Sequence, residues 1–177
     1  MPKSVDVDAK RQEILAECLF RFAEKGYAAI SMRQIASSLG VTTGSLYHYF
    51  PSKRDILNAI LTHYRDQHLT DVRPILMVIS HPQKRLSALC HFIDERLDSM
   101  SALLMVAIDA SRIGDSQVKG LIQGVLEAYV QAIAALLQVS VEKANIVIDI
   151  TFGHLLRHAI GANPTSLRQL IEPMKLA

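Results

Sequence analysis

Tryptophan is absent from this 177-residue sequence, and aromatic residues make up only 6% of it. A chain so poor in large rings cannot spread them evenly through a core, so where they gather is informative. Cysteine is scarce too. Cys18 and Cys90 stand far apart, each in an apolar helical pattern. They form no CxxC and no Cys/His metal spacing, which excludes a disulfide framework and reads as two buried, reduced thiols. No stretch sustains the alternation that a half-buried strand requires. No apolar run reaches the ~18 residues of a membrane span. The N-terminal "MPKSVDVDAKRQEIL" has no signal-peptide core. The expectation is a cytoplasmic protein with no membrane partner. Repeats and low-complexity segments are missing. So are a phosphate-binding glycine loop, a Ser/His/Asp order and a carboxylate pair set for acid–base work, so no enzyme activity, catalytic residue or cofactor is expected.

What is present is apolar and helical. Half of the residues are hydrophobic. The net charge of +2 is too mild to announce a polyanionic partner. Its distribution says more: residues 1–54 carry eight Lys/Arg against five Asp/Glu, and residues 55–177 carry eleven against twelve. A basic head on a neutral body suggests an anion-seeking N-terminal third. Helical periodicity runs throughout. A first helix covers about Asp8 to Lys25 and stops at Gly26. Ser31 caps a second, from Met32 to Leu39, which Gly40 closes. Thr42 or Thr43 caps a third, to Phe50, which Pro51 ends. Ser52 opens a long fourth helix that Pro74 should kink or end. Pro82 suits the first turn of the next. Residues 86–112 read as one or two helices, 116–138 and 141–160 as one each, and Thr165 to Lys175 as a last short one. The fold class is all-α, with about nine or ten helices.

The aromatics cluster in "VTTGSLYHYFPSKRDIL", residues 41–57. Two short helices joined by "GVT" fit a helix-turn-helix, whose second helix enters the DNA major groove by its N-terminal end. That end reads Thr43-Gly44-Ser45: hydroxyls that can donate to phosphates or base edges, and a glycine that lets the backbone come close. Leu46 and Phe50 suit the core. Tyr47, one position past Leu46, points the other way and carries a phenol donor. Lys53 stands at the start of the following helix, where dipole and ammonium both favour a phosphate. Arg33 opens the preceding helix and can reach a base or the backbone.

These residues carry a resemblance. Residues 10–57 resemble the DNA-binding domain of TetR-type transcriptional regulators, through "F…GY", a hydroxyl-capped second helix with "IA…LGV", the run "GSLYHYF", and Lys53 ahead of Leu57. Tyr49 stands where that family most often has histidine, and Met32 where threonine is common. The resemblance implies a homodimer reading a palindromic operator in double-stranded DNA. It makes Arg33, Thr43, Gly44, Ser45, Tyr47, His48, Tyr49 and Lys53 candidate DNA contacts, with Thr42 a cap beside them. It also implies a helix-turn-helix domain over residues 1–54 and an antiparallel helical domain for ligand binding and dimerisation over residues 55–177. Repression, relieved by a small hydrophobic or amphipathic effector, is the expected outcome.

In the body, Met100, Leu104, Met105, Ile108, Leu121, Val125 and Tyr129 are candidate lining of an effector pocket. The helix of 141–160 is apolar almost all round, as a central or partner-facing helix is. The resemblance, in which the last two helices build the dimer interface, makes Phe152, Leu155, Leu156, Ile160, Leu167 and Leu170 the candidate interface, with Gly153 allowing close approach. Gly120 and Gly124 suit helix packing. Asp109 with Arg112 reads as a surface pair, and Asp94, Glu95 and Asp98 as a solvated face. Two rivals remain. One is a regulator of this fold without a small ligand. The other is a metal-binding protein or enzyme centred on His154 and His158, whose i,i+4 spacing suits zinc if Asp149 or His91 supplied a third ligand. No metal is expected.

Overall fold

Three hydroxyl residues, each three positions ahead of its partner, set the helix starts of the N-terminal head. The computed structural model describes residues 3–162, 165–171 and 173, with the side chains of 3–6 left aside. Helix α1, Lys3–Lys25, stops at Gly26, whose φ of +86° is open to glycine at little cost. The Ser31 side chain accepts from Gln34 N at 3.3 Å while Ser31 N donates to Gln34 Oε1 at 2.9 Å, a reciprocal cap that starts α2, Met32–Ser38. Thr42 Oγ1 accepts from Ser45 N at 3.1 Å and starts α3, Thr43–Tyr49. Ser52 accepts from Asp55 N at 3.2 Å and starts α4, Lys53–Met77.

Pro74 does not end α4, which runs on to Met77. The proline lies within the last turn, where its missing N–H costs one bond, and buried Val72 and Leu76 hold the segment in place on either side. Helix α5, Pro82–Asp94, starts on its proline, and α6, Leu97–Ser111, follows after a break at Glu95 and Arg96. Asp115 caps α7, Ser116–Leu137, which closes on Gln138 at a left-handed φ of 58°. Ser140 caps α8, Val141–Ala159. The last helix, α9, spans Leu167–Ile171, and the rest of the expected stretch to Lys175 lies outside the described residues, Pro173 excepted. Among the described residues there are nine helices and no strand.

By length and composition alone α7 could cross a membrane, contrary to the expectation of no such run. Here its Val118, Val125, Val130, Ile133 and Leu137 are buried, and it packs against α4 and α8. The apolar side chains fall into two cores. The first joins α1, α2, α3 and the start of α4 to Leu103, Val106 and Ala110 of α6 and Val118 and Val125 of α7. The second joins the end of α4 to α5, the end of α7, α8 and α9. The head thus shares its core with the body, so a shift of α6 is felt at α1. Cys18 and Cys90 are buried, one in each core, and burial pushes both thiols up to about 12. Neither is a ready nucleophile.

Candidate nucleic-acid interface and buried cavity

Leu46 and Phe50 are fully buried and pin one face of α3 to the head. Each is worth roughly 1.5–3 kcal/mol of burial. The opposite face is turned to solvent: Gly44, Ser45, Tyr47 and His48 are exposed, with Tyr47 at 48%. Thr43 and Tyr49 are half-buried, and Tyr49 packs partly on the core. Arg33 is exposed at the start of α2. The Thr42 hydroxyl is engaged as the cap. A Cβ on Gly44 would come no nearer than 3.9 Å to Thr42 Oγ1. The protomer's own packing therefore leaves this position open, and its smallness is available to whatever approaches from outside.

Lys53 is used otherwise than its phosphate assignment supposes. Its ammonium donates to the carbonyls of Tyr27 at 2.7 Å, Ala28 at 3.3 Å and Ile30 at 2.8 Å. It also lies 4.6 Å from the centre of the Tyr27 ring. All three N–H bonds are committed to the turn between α1 and α2. Burial draws the amine's pKa below the ordinary lysine value, against the opposing charge of Asp109. Sequence reasoning missed Arg11. Its Nη1 donates to Tyr49 O at 3.0 Å, and the guanidinium lies 4.5 Å over the Phe50 ring, so it holds the far end of α3. The available signal was its position one turn before Ile14 and Leu15, on their face.

In the body, α4, α5, α6, α7 and α8 line an apolar cavity of about 380 Å³ that opens to the surface beside the exposed Ile108 and Leu156. Met100, Leu104, Ile108, Val125 and Tyr129 are on its wall, with Leu61, Val72, Phe92, Phe152 and Leu156. Met105 is not on the wall but exposed, because it falls on the outer side of α6. Leu121 packs on the head's core instead. The cavity's polar feature is His68, which lies 3.0 Å from Tyr129 Oη through Nδ1. Burial, aided by the charge of Arg96 and opposed by Asp71, draws this imidazole down to about 4, so it is neutral near neutral pH. Burial likewise pushes the Tyr129 phenol up.

One wall of the cavity reaches the head directly. Ala107, Ile108 and Ser111 of α6 line it, and Asp109 between them accepts a 2.7 Å hydrogen bond from Tyr27 N. Asp109 thus serves the turn between α1 and α2 rather than Arg112. Arg54 and Asp115 add a 3.7 Å pair across the same junction.

Leu155 and Leu167 are buried in the protomer's own second core, so neither can meet a partner; the inward face of α8 and the docking of α9 consume them. Leu156 and Ile160 are exposed, Ile160 at 69%, and Phe152 and Leu170 are half-buried. A Cβ on Gly120, Gly124 or Gly153 would meet nothing within 4 Å, so none of them serves a close helix approach inside the protomer. His154 and His158 do not converge on one centre. His154 Nε2 lies 3.0 Å from Asp94 Oδ1 and His158 Nε2 2.7 Å from Asp98 Oδ1, so each is taken by a different carboxylate. Asp94 is therefore no member of a solvated face; it also accepts from Leu167 N at 3.4 Å and ties α9 down. Among the described residues, no group of three or more His, Cys, Asp or Glu is placed to hold a metal ion.

A helix-turn-helix head built into a cavity-bearing helical body is the architecture of helix-turn-helix transcriptional regulators. Residues 14–60 match the family model described as bacterial regulatory proteins, tetR family. Over those residues, which span the end of α1, the helix-turn-helix and the start of α4, the chain is similar to that family. It is 30% identical over 106 residues to the transcriptional repressor KstR2 of Mycobacterium tuberculosis, covering 60% of this chain and 53% of that one. The chain thus spans about half the length of the curated relatives it matches. Its fold is similar to that of the fatty acid degradation regulator FadR from Bacillus halodurans, with a TM-score of 0.77 at 18% identity over 92% of this chain and 94% of the other. FadR from Bacillus subtilis in complex with stearoyl-CoA matches with a TM-score of 0.77 at 17% identity and the same coverage.

Proposed function

We propose that this protein is a homodimeric, cytoplasmic transcriptional regulator, a repressor, that reads a palindromic operator with α3 and releases it when a small apolar effector fills the cavity. Residues 1–54 are the reading head and residues 55–177 the ligand-binding and dimerisation body. Gly44, Ser45, Tyr47 and His48 supply the approach to the groove, with Thr43, Tyr49 and Arg33 beside them. The observation that carries the reading is the shared position of α6. One of its faces lines the cavity, and between those lining residues Asp109 holds Tyr27, at the turn on which α2 and α3 are mounted. A ligand that prefers one placement of α6 shifts the spacing of the two heads by its differential affinity and no more.

Dimer formation is supported by the outer side of α8, where Ile146, Leu156 and Ile160 are exposed beside a bare Gly153. KstR2 is named a repressor, and one FadR holds stearoyl-CoA. The first fits a repressing role for this chain, and the second an effector with a long apolar portion.

The test is selection of a binding site from random duplex DNA, followed by fluorescence anisotropy and analytical ultracentrifugation. A two-fold symmetric site bound by two copies is expected. Ile160→Asp, which leaves the cavity wall intact, should dissociate the dimer and weaken operator binding at least tenfold. Enrichment of no sequence, or binding of a single copy to an asymmetric site, would overturn the reading.

A further inference from the structure

Among the described residues, the cavity wall carries no charged side chain. Its hydroxyl and imidazole groups belong to His68, Ser111, Tyr129 and Thr151. Two of these are spent on their own helices: Thr151 Oγ1 donates to Val147 O at 2.8 Å and Ser111 Oγ to Ile108 O at 2.7 Å. His68 and Tyr129 bond each other, Nδ1 to Oη at 3.0 Å. A neutral imidazole has one N–H and a phenol one O–H, so the pair owns two protons and their mutual bond uses one. If Nδ1 accepts from the phenol, the free donor is Nε2–H. If Nδ1 donates, the free donor is the phenol. In either tautomer one donor remains, and among the described residues it has no partner.

We propose that the cavity takes an uncharged, largely apolar molecule whose single oxygen acceptor, a ketone, ester or hydroxyl oxygen, is held by the His68–Tyr129 pair. This rests on the cavity being the effector site. An ionic head placed against the buried His68 would lose its water without gaining a counter-charge, and an unpaired charge in apolar surroundings is strongly disfavoured. The imidazole does not supply that charge near neutral pH, because burial keeps it neutral. Arg96 does not supply it either; its guanidinium lies 3.9 Å over the Phe92 ring, is not part of the wall, and donates to Phe92 O at 3.4 Å. At about 380 Å³ the cavity is at the small end of the roughly 300–1,000 Å³ common for ligand sites. That size suits a compact apolar body with one polar atom.

Isothermal titration calorimetry with three ten-carbon probes tests this: 2-decanone, decanoate and decyltrimethylammonium. The neutral ketone should bind at least tenfold more tightly than either ion. Its affinity should fall about fivefold in Tyr129→Phe and in His68→Phe, the effect of one lost hydrogen bond. His68→Gln, which keeps a donor, should retain most of the affinity, with melting curves showing that each variant is folded. An ion that equals or exceeds the ketone would overturn the neutral class. Unchanged ketone affinity in both phenylalanine variants would overturn the anchoring pair. If none of the probes binds, this inference and the effector reading fail together. If the ketone binds as expected and operator affinity does not change, the ligand class stands and the effector reading alone fails.

Discussion

The caps of the head and the cross-helix pairs of the body tie polar groups over very different distances. In the head, the caps at Ser31, Thr42 and Ser52 each bond a residue three positions along. In the body, the bonds that matter span about a third of the chain. His68 meets Tyr129, Ser101 donates to Leu155 O, and His154 and His158 meet Asp94 and Asp98, all over 54–61 positions. Arg85, buried, donates to Leu136 O at 3.1 Å and to Ile79 O, and so fastens the ends of α7 and α4 together. The difference teaches where each region is vulnerable. Changes in the head's caps loosen one helix. Changes in the body's long-range pairs separate helices from one another.

The largest expected effect therefore belongs to the body. Arg85→Met leaves two carbonyls unsatisfied at helix ends and should lower stability by about 3 kcal/mol, read from thermal or urea unfolding. A loss below that of a single head cap would break the comparison. Next comes pH. Burial holds the folded imidazole of His68 down to about 4, below its ordinary value of 6.5. The unfolded chain thus binds the extra proton first as pH falls. Stability is full above about 6.5 and should drop by up to about 3 kcal/mol as pH falls toward 4. In His68→Phe that part of the pH dependence should vanish in melting curves taken from pH 7 to 4.

Smaller effects sharpen the head. Lys53→Met removes three donors from the turn between α1 and α2 and should cost about 1–2 kcal/mol of stability. Because its ammonium is committed inside the head, the slope of log K against log salt should barely change. A loss of roughly one unit of slope would return Lys53 to the DNA contacts. Tyr47→Phe should be smallest: operator binding weakens about fivefold, evenly across operator variants, with stability unchanged. Lost discrimination at one base pair would mean that the phenol reads a base instead.

Legibility followed the same division. The helix starts at Ser31 and Ser52, the stop at Gly26 and the inward Leu46 and Phe50 could be read directly, and the third start to within Thr42 or Thr43, because caps and helical faces are written within four residues. The carbonyl clamp of Lys53 could not, since Tyr27, Ala28 and Ile30 stand more than twenty positions away. Nor could the inward turn of Leu155 and Leu167. A helix that is apolar on most sides does not declare which side meets its neighbour. His154 and His158 shared a helix face, yet carboxylates from two other elements claimed them separately.

Helix type and order, the basic head and the exposed tip of α3 were determined by the sequence alone, since each depends on short-range periodicity and capping. The tertiary structure decided which apolar residues surround a void, which donors are already engaged and how α6 joins that void to the head. Those outcomes depend on which helices become neighbours, and burial and hydrogen-bond competition settle them only once the chain has closed on itself.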